Sequence, residues 1–382
     1  MTTNAFARPA PPSTAPRAPG AGGDNVRGRR PRRLPCELVV PLRWVDADPD
    51  EEADLAAYLE QAVRWCDVTV VDGSPGPMAA ARRAGWPDAV RVLLPDQRWA
   101  GANGKVTGAM TGIAASRHQS VVVADDDVRY GHAELSEVVR ALRVADLVLP
   151  QNVPTCWPWW AWWESGRVLL NRAVAVDWPG TVGCRRDVVL RAGGWSPDVL
   201  FENLEMARTV EAAGGSVVHR PDILVHRRPP SLRHFLRQRV RQAYEDAASP
   251  VRLVLGLATV PAFVVLGRRA KALATAVATL VVVAEAGRRR SGGHRAFPRA
   301  TSLAAPVWVV ERGVCSWLAL WARWRGGVRY HGQRLAVAAH SPRELRRRLT
   351  RATRPAPGRP GAERGSEVAP AGGPVVAVGR HE

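Results

Sequence analysis

Residues 121–127 read VVVADDD, and this stretch decides how the chain is interpreted. The run 121–124 predicts a buried strand, and three carboxylates follow it directly. In parallel α/β sheets, ligands bind at the carboxyl ends of the strands. Three adjacent acids lose solvation and repel one another, so they need a compensating cation. We therefore expect Asp125 and Asp127 to hold a divalent metal, Mg²⁺ or Mn²⁺. The competing interpretation is a solvated turn.

Short apolar runs alternate with helical patterns before this stretch. Residues 38–40, 68–71 and 91–94 predict strands, and residues 54–65 and 104–116 predict helices. The alternation is typical of an α/β fold, a Rossmann-like and mainly parallel sheet with helices on both faces.

Two further polar positions fall at element ends. Asp72 follows the second strand, where its carboxylate can accept from a nucleotide, although Asp-Gly-Ser-Pro is also strong turn chemistry. Lys105 begins a helix after Asn103 and Gly104, an arrangement that favours an anion or serves only as a cap. The glycine spacing is not that of a Walker loop.

Taken together, these segments resemble glycosyltransferase family 2, the inverting enzymes with the GT-A fold, from about Val39 to Tyr244. The resemblance implies a nucleotide diphosphate sugar donor, UDP-type foremost, with Asp125 and Asp127 on the metal and Asp126 in the donor site. The segments that carry it, in chain order, are Val39-Val40-Pro41, Val71-Asp72-Gly73-Ser74, Asn103-Gly104-Lys105, Asp125-Asp126-Asp127, Gly183-Cys184-Arg185-Arg186 and Gly193-Gly194-Trp195. By the same resemblance, Pro41, Asp72 and Lys105 are donor-binding.

Two departures from the family pattern concern function. The family's Glu-Asp pair reads Glu202-Asn203 here, and an amide cannot take a proton, so Glu202 is the expected base and Glu205 the reserve. Both acids are otherwise helix-start residues. The family's Gln-x-x-Arg-Trp motif keeps Gln238 and Arg241, which we expect at the donor, but Gln242 replaces the tryptophan. Transfer of one sugar at a time is therefore expected.

Residues 157–164 read WPWWAWWE. Indole faces stack on sugars or lie among lipid headgroups, so Trp159, Trp160 and Trp163 are candidate acceptor contacts. Packing in the core is the alternative.

The rest of the chain points to a membrane. The formal charge of +19 is carried almost entirely by arginine, gathered in the tails and beside late apolar runs. Such placement suits lipid headgroups, and no nucleic-acid partner is expected. We predict a disordered leader (1–35), a GT-A domain (36–245), a membrane-associated helical region with two short spans and an interfacial helix (246–335) and a largely disordered basic tail (336–382).

The sequence therefore predicts a glycosyltransferase at the cytoplasmic membrane, its active site facing the cytoplasm and its acceptor lipid-linked or membrane-located. Two alternatives stay open. A nucleotidyltransferase would need a glycine-rich, arginine-containing loop after the first strand, where Pro41-Leu42-Arg43-Trp44 offers none. A noncatalytic basic protein would bind a membrane or nucleic acid in a strongly salt-dependent way.

Overall fold

The computed structural model describes residues 32–45, 48–174, 176–330 and 333–353. The predicted leader falls almost wholly outside these residues, and so does the end of the predicted tail.

Eight strands form one sheet in the order β3-β2-β1-β4-β7-β6-β8-β5, and two more form a hairpin. The strands are β1 (Cys36–Leu42), β2 (Asp67–Asp72), β3 (Val90–Leu93), β4 (Ser120–Ala124), β5 (Val128–Arg129), β6 (Leu147–Pro154), β7 (Thr181–Arg185), β8 (Val217–Arg227), β9 (Val328–Tyr330) and β10 (Gln333–Leu335).

The sheet has a parallel half and a mixed half. Strands β3, β2, β1 and β4 are parallel neighbours, so their carboxyl ends meet at one edge. Beyond β4, strand β7 runs antiparallel to both β4 and β6, and β6 is parallel to β8. The predicted strands were therefore placed correctly, while the sheet is more mixed than a mainly parallel one.

The helices are α1 (Pro49–Ala62), α2 (Pro77–Ala84), α3 (Gly104–Ala115), α4 (His132–Ala141), α5 (Trp159–Val174), α6 (Arg186–Arg191), α7 (Glu202–Ala212), α8 (Leu232–Glu245), α9 (Pro250–Gly267), α10 (Ala270–Arg289), α11 (Ala304–Trp324) and α12 (Pro342–Thr353). Helix α1 begins five residues before the predicted helix because the carboxylate of Asp48 accepts from the backbone N–H of Asp50 at its N-terminus.

Hydrophobic packing covers both faces of the sheet. Successive strand residues point to opposite faces, so Leu38 and Val40 of β1 pack in one cluster with Leu55 of α1 and Leu135 of α4. Val39 packs in the other cluster with residues of α3, α6 and α7. The predicted α/β fold, a sheet with helices on both faces, is confirmed.

Three helices after the sheet are long and apolar enough to cross a membrane. They cover Pro250–Gly267, Ala270–Arg295 and Arg299–Trp324, and in an apolar 18-residue window of each, 6%, 11% and 33% of the window is buried in the protein. The third packs along α5, α8 and α9, while α10 packs on α5. At the α10 contact, a Cβ on Gly287 would overlap the carbonyl oxygen of Leu169, so only glycine permits this approach.

The end of the described chain contains one more helix. Residues 342–353 form α12 within the tail that was predicted to be largely disordered, and α12 packs against α7. The hairpin before it joins Leu200 and Tyr244 in a buried cluster with Val328 and Leu335. This part of the tail is therefore an ordered piece of the domain.

Candidate active site

A cleft of about 590 Å³ opens at the carboxyl ends of the parallel strands. Its walls come from the end of β1, the first turn of α3, the acid triplet after β4, the start of α7 and one side of α8. The predicted residues that line it are Pro41, Lys105, Asp125, Asp126, Asp127, Glu202, Gln238 and Arg241. The fold thus brings eight separately predicted positions together.

The acid triplet is held by backbone hydrogen bonds. The N–H of Asp125 donates to the carbonyl of Gly180 at 2.9 Å, and the N–H of Arg228 donates to the carbonyl of Asp127 at 2.8 Å. Because Gly180 directly precedes β7 and Arg228 directly follows β8, these bonds tie the triplet to the mixed half of the sheet.

Arg227, at the end of β8, clamps the two outer acids. Its Nε lies 2.9 Å from Oδ2 of Asp127, and its Nη2 lies 3.2 Å from Oδ2 of Asp125. Burial would lower the pKa of Arg227, but the two carboxylates outweigh it and raise the pKa. A Cβ at Gly180 would come within 2.7 Å of this guanidinium, so a side chain there would displace Arg227 from its present position. Arg227 was missed from the sequence because nothing in its local pattern marks it.

Lys105 links the triplet to the expected base. Its Nζ lies 2.6 Å from Oδ1 of Asp125 and 2.7 Å from Oε1 of Glu202. Burial would lower the pKa of Lys105, yet the two carboxylates raise it, so the ammonium stays charged. The side-chain amide oxygen of Asn103 accepts from the backbone N–H of Lys105 at 3.2 Å and so caps the N-terminus of α3.

Asp126, the middle acid, accepts a hydrogen bond from the indole N–H of Trp44. Burial, followed by the charges of Asp127 and Asp125, raises its pKa to about 6. Near neutral pH, this acid therefore titrates readily when the charges around it change.

The outer acids fit a divalent metal. Oδ1 of Asp127 is buried and accepts no hydrogen bond within the described residues, which is a costly state for a carboxylate oxygen. In the same part of the chain, no group of three or more His, Cys, Asp or Glu side chains is placed to hold a metal. Two carboxylates suffice for Mg²⁺, which usually takes its other ligands from water and substrate phosphates.

Glu205, the reserve base, lies away from the cleft. It is fully buried, and its carboxylate accepts from the backbone N–H and pairs with Nδ1 of His340, both at 2.7 Å. Helix α7 presents Glu202 to the cleft and turns Glu205 toward the segment before α12, so the assignment of Glu205 as a catalytic residue is corrected to a structural one. Asn203 donates to the carbonyl of Pro179 at 2.8 Å.

Asp72 does not line the cleft either. It is fully buried, and its carboxylate accepts from the N–H of Ser74 at 2.8 Å and from Nε of Arg83 at 3.1 Å. Its neighbours Val71 and Gly73 face the cleft instead. The turn interpretation of this segment therefore holds.

The tryptophans of α5 are not among the cleft residues. The indole N–H of Trp160 donates to the carbonyl of Pro230 at 2.9 Å, and Trp159 packs edge-on against Phe235 while staying 53% exposed. The indole nitrogen of Trp163 is buried. The structure thus does not bring these side chains to the reacting groups.

Glu245, at the end of α8, is a cleft residue that sequence reasoning missed. Within the described residues, its carboxylate has no hydrogen bond and no ion pair closer than 4 Å, and burial raises its pKa to about 7. Glu245 follows Arg241 by four residues, so the two side chains share one face of α8. That spacing could have indicated Glu245 from the sequence.

Comparisons with solved structures give distant likenesses. A mannosyltransferase from Pyrobaculum calidifontis, determined with GDP-mannose and Mn²⁺, is 17% identical over 77% of this chain and 90% of its own, with a TM-score of 0.43. A glucosyl-3-phosphoglycerate synthase from Mycobacterium tuberculosis, determined with Mn²⁺, UDP and phosphoglyceric acid, is 15% identical over 52% and 72%, with a TM-score of 0.34.

A third structure, described as a putative nucleotide-diphospho-sugar transferase from Desulfovibrio desulfuricans G20, is 11% identical over 49% of this chain and 79% of its own, with a TM-score of 0.32. No protein-family profile and no curated protein matches the chain.

Proposed function

We propose that this protein transfers a sugar from a nucleotide diphosphate sugar to an acceptor hydroxyl. The observation that carries the proposal is the chain of charges in the cleft, in which Arg227 and Lys105 hold Asp125 and Lys105 also holds Glu202. At the ends of the strands, such cations can bind a diphosphate and such carboxylates can bind a metal, so both ligands can be held side by side.

The donor's diphosphate would lie between α3 and the acid triplet. Lys105, in the first turn of α3, adds its charge to the partial positive charge of the helix terminus. Asp125 and Asp127 would hold Mg²⁺ or Mn²⁺, which stabilises negative charge on phosphate oxygens. Gln238 and Arg241 face the same space from α8 and would contact the donor from the opposite wall.

The reaction is a single displacement. The acceptor oxygen forms a bond to the anomeric carbon as the bond to the diphosphate oxygen breaks, and the nucleotide diphosphate leaves with the electron pair. Glu202 takes the hydroxyl proton, because Lys105 holds this carboxylate next to Asp125, where the donor would bind. Inversion at the anomeric carbon and a UDP-type donor follow from the family resemblance.

A second carboxylate is placed to compete for the proton. Glu245 lines the same cleft and, unlike Glu202, has no ion pair within the described residues. Burial raises the pKa of Glu245, which strengthens this carboxylate as a base. The two assignments differ in which Glu→Gln change removes the chemistry.

The acceptor is proposed to be lipid-linked or otherwise located at the membrane, with the cleft facing the cytoplasm. Support comes from the three apolar helices, the last of which packs on α8 beside the cleft. Gln242 lines the cleft where the family's processive members carry tryptophan, which supports transfer of one sugar at a time.

The experiment is a thermal-shift screen of the full chain in detergent against UDP and GDP sugars, with Mn²⁺ or with a chelator. A donor that stabilises the protein only with Mn²⁺ supports the proposal and names the donor. Stabilisation by no nucleotide sugar, together with steeply salt-dependent binding of an oligonucleotide, would favour a noncatalytic basic protein.

A further inference from the structure

A second cavity, of about 1060 Å³, lies at the turn between α10 and α11, outside the cleft. Four arginines and one histidine line it, against the single acid Glu285, and these are Arg288, Arg289, His294, Arg295 and Arg299. We propose that this basic cavity binds the phosphate headgroup of an anionic phospholipid and thereby fixes the catalytic domain on the membrane.

Two of the four arginines are available to a ligand. Arg288 and Arg289 both pair with Glu285, their nearest nitrogens lying 2.7 Å from its oxygens. Arg295 and Arg299 are exposed, and their side chains make no hydrogen bond or ion pair with any residue that the structure describes. The cavity therefore presents at least two uncompensated positive charges, enough to pair with a phosphate diester.

The floor of the basic cavity is aromatic. Phe297 is 1% exposed and packs edge-on against Trp157 with 6.1 Å between ring centroids. Trp157 lies two residues before Trp159, the exposed first residue of α5. Tryptophan is enriched where a protein surface meets lipid headgroups, so a basic rim above this floor suits an amphipathic ligand better than a free ion.

The position of the basic cavity between two candidate spans favours a lipid as its ligand. The candidate spans Ala270–Arg295 and Arg299–Trp324 border the basic cavity on its two sides, so its rim coincides with their ends. Their outer surfaces stay apolar and open, as at Val282 and Val307, which are 67% and 49% exposed. Arginines at the end of such helices meet the headgroup layer of an anionic leaflet.

The basic cavity is attached rigidly to the catalytic domain. Arg172 of α5 is 2% exposed and donates to the carbonyls of Gly287 at 3.1 Å and Pro221 at 2.9 Å, as well as to that of Arg290. This one buried guanidinium therefore joins α5 and β8 to the α10–α11 turn. A lipid held at the turn would set the orientation of the sheet, and with it the cleft, relative to the membrane.

The test measures thermal stability of the full chain in a zwitterionic detergent. Dioctanoyl-phosphatidylglycerol, dioctanoyl-phosphatidylcholine, inorganic phosphate and a short RNA duplex are titrated separately. Wild type is compared with the double variant Arg295→Gln and Arg299→Gln, whose side chains have no described partners to lose. The matched control is Arg64→Gln with Arg143→Gln, two exposed arginines of the catalytic domain.

Phosphatidylglycerol is expected to raise the Tm of wild type and control by several degrees more than phosphatidylcholine, and the double variant is expected to lose that difference. An unchanged difference in the double variant overturns the site. Equal shifts with inorganic phosphate would make it a free-anion site, and equal shifts with RNA a nucleic-acid site. Donor binding in the cleft is measured alongside, so failure here is distinguished from failure of the transferase proposal.

Discussion

The Nζ of Lys105, on α3, lies 2.7 Å from Oε1 of Glu202, on α7. The two residues are 97 positions apart in the chain, and the same ammonium also contacts Asp125. One cation thus joins the proposed metal site to the proposed base.

Replacing Lys105 by Met should weaken donor binding and slow transfer by about 100-fold, because a fixed charge aimed at the leaving group is removed. Donor affinity is measured by titration calorimetry and the rate by release of nucleotide diphosphate. Lys271→Met, which changes a lysine of α10 outside the cleft, is the control and should leave both values unchanged. Equal losses in both variants would contradict the role of Lys105.

Glu202→Gln should lower the transfer rate about 100-fold or more while donor affinity changes little, since the amide cannot take the acceptor proton. Single-turnover rates at saturating donor separate the chemical step from binding. If Glu202→Gln is nearly silent and Glu245→Gln carries the loss, then Glu245 is the base and the assignment of Glu202 is wrong.

Glu205→Gln should lower stability, by about 1–3 kcal/mol, because its two buried hydrogen-bonded contacts with His340 are disturbed. Thermal unfolding measures the change, and donor affinity is expected to stay as in wild type. Glu211→Gln, an exposed change on the same helix, should leave Tm unchanged. A Glu205 variant with normal Tm and lost catalysis would return Glu205 to the active site.

Glu245→Gln should alter the pH dependence of stability. The pKa of Glu245 is raised from 4.5 to about 7 by burial, so ionising it costs stability in the folded protein. That cost is absent below about pH 4.5 and complete above about pH 7. The charges of Arg241, Arg312 and Arg167 lower this pKa and the charge of Glu202 raises it, but burial has the largest effect. The Tm of Glu245→Gln relative to wild type should therefore rise between pH 5 and pH 8.

The control for this experiment is Glu60→Gln, an exposed change on α1. Its Tm difference from wild type should be flat across the same pH range. A flat difference for Glu245→Gln as well would mean that its carboxyl ionises as freely in the folded chain as in the unfolded one.

Local sequence patterns were enough to predict the strands of the parallel half of the sheet and the residues at their carboxyl ends. The apolar runs before Asp72 and Asp125 predicted strands, and parallel pairing brings the carboxyl ends of these strands to one edge of the sheet. The helix begun at Gly104 was recognised because an asparagine cap and a glycine precede Lys105.

Contacts between residues far apart in the chain could not be predicted from local sequence patterns. Arg227 reaches Asp125 and Asp127 across 102 and 100 positions, and only the order of β8 in the sheet decides that contact. Whether Glu202 or Glu205 faces the cleft depends on the rotation of α7, which the packing of His340 against Glu205 fixes from 135 positions away. Burial, which raises the pKa of Glu245, is likewise a property of the assembled fold.

The central claim is that Asp125 and Asp127 hold a divalent cation together with a nucleotide diphosphate. Electron paramagnetic resonance of free Mn²⁺ measures this directly, in wild type, in Asp127→Ala and in the control Asp88→Ala. Wild type and control should bind Mn²⁺ more tightly when a nucleotide diphosphate is present, and Asp127→Ala should lose that binding while remaining folded. Nucleotide-dependent Mn²⁺ binding that is the same in Asp127→Ala as in wild type would contradict the account.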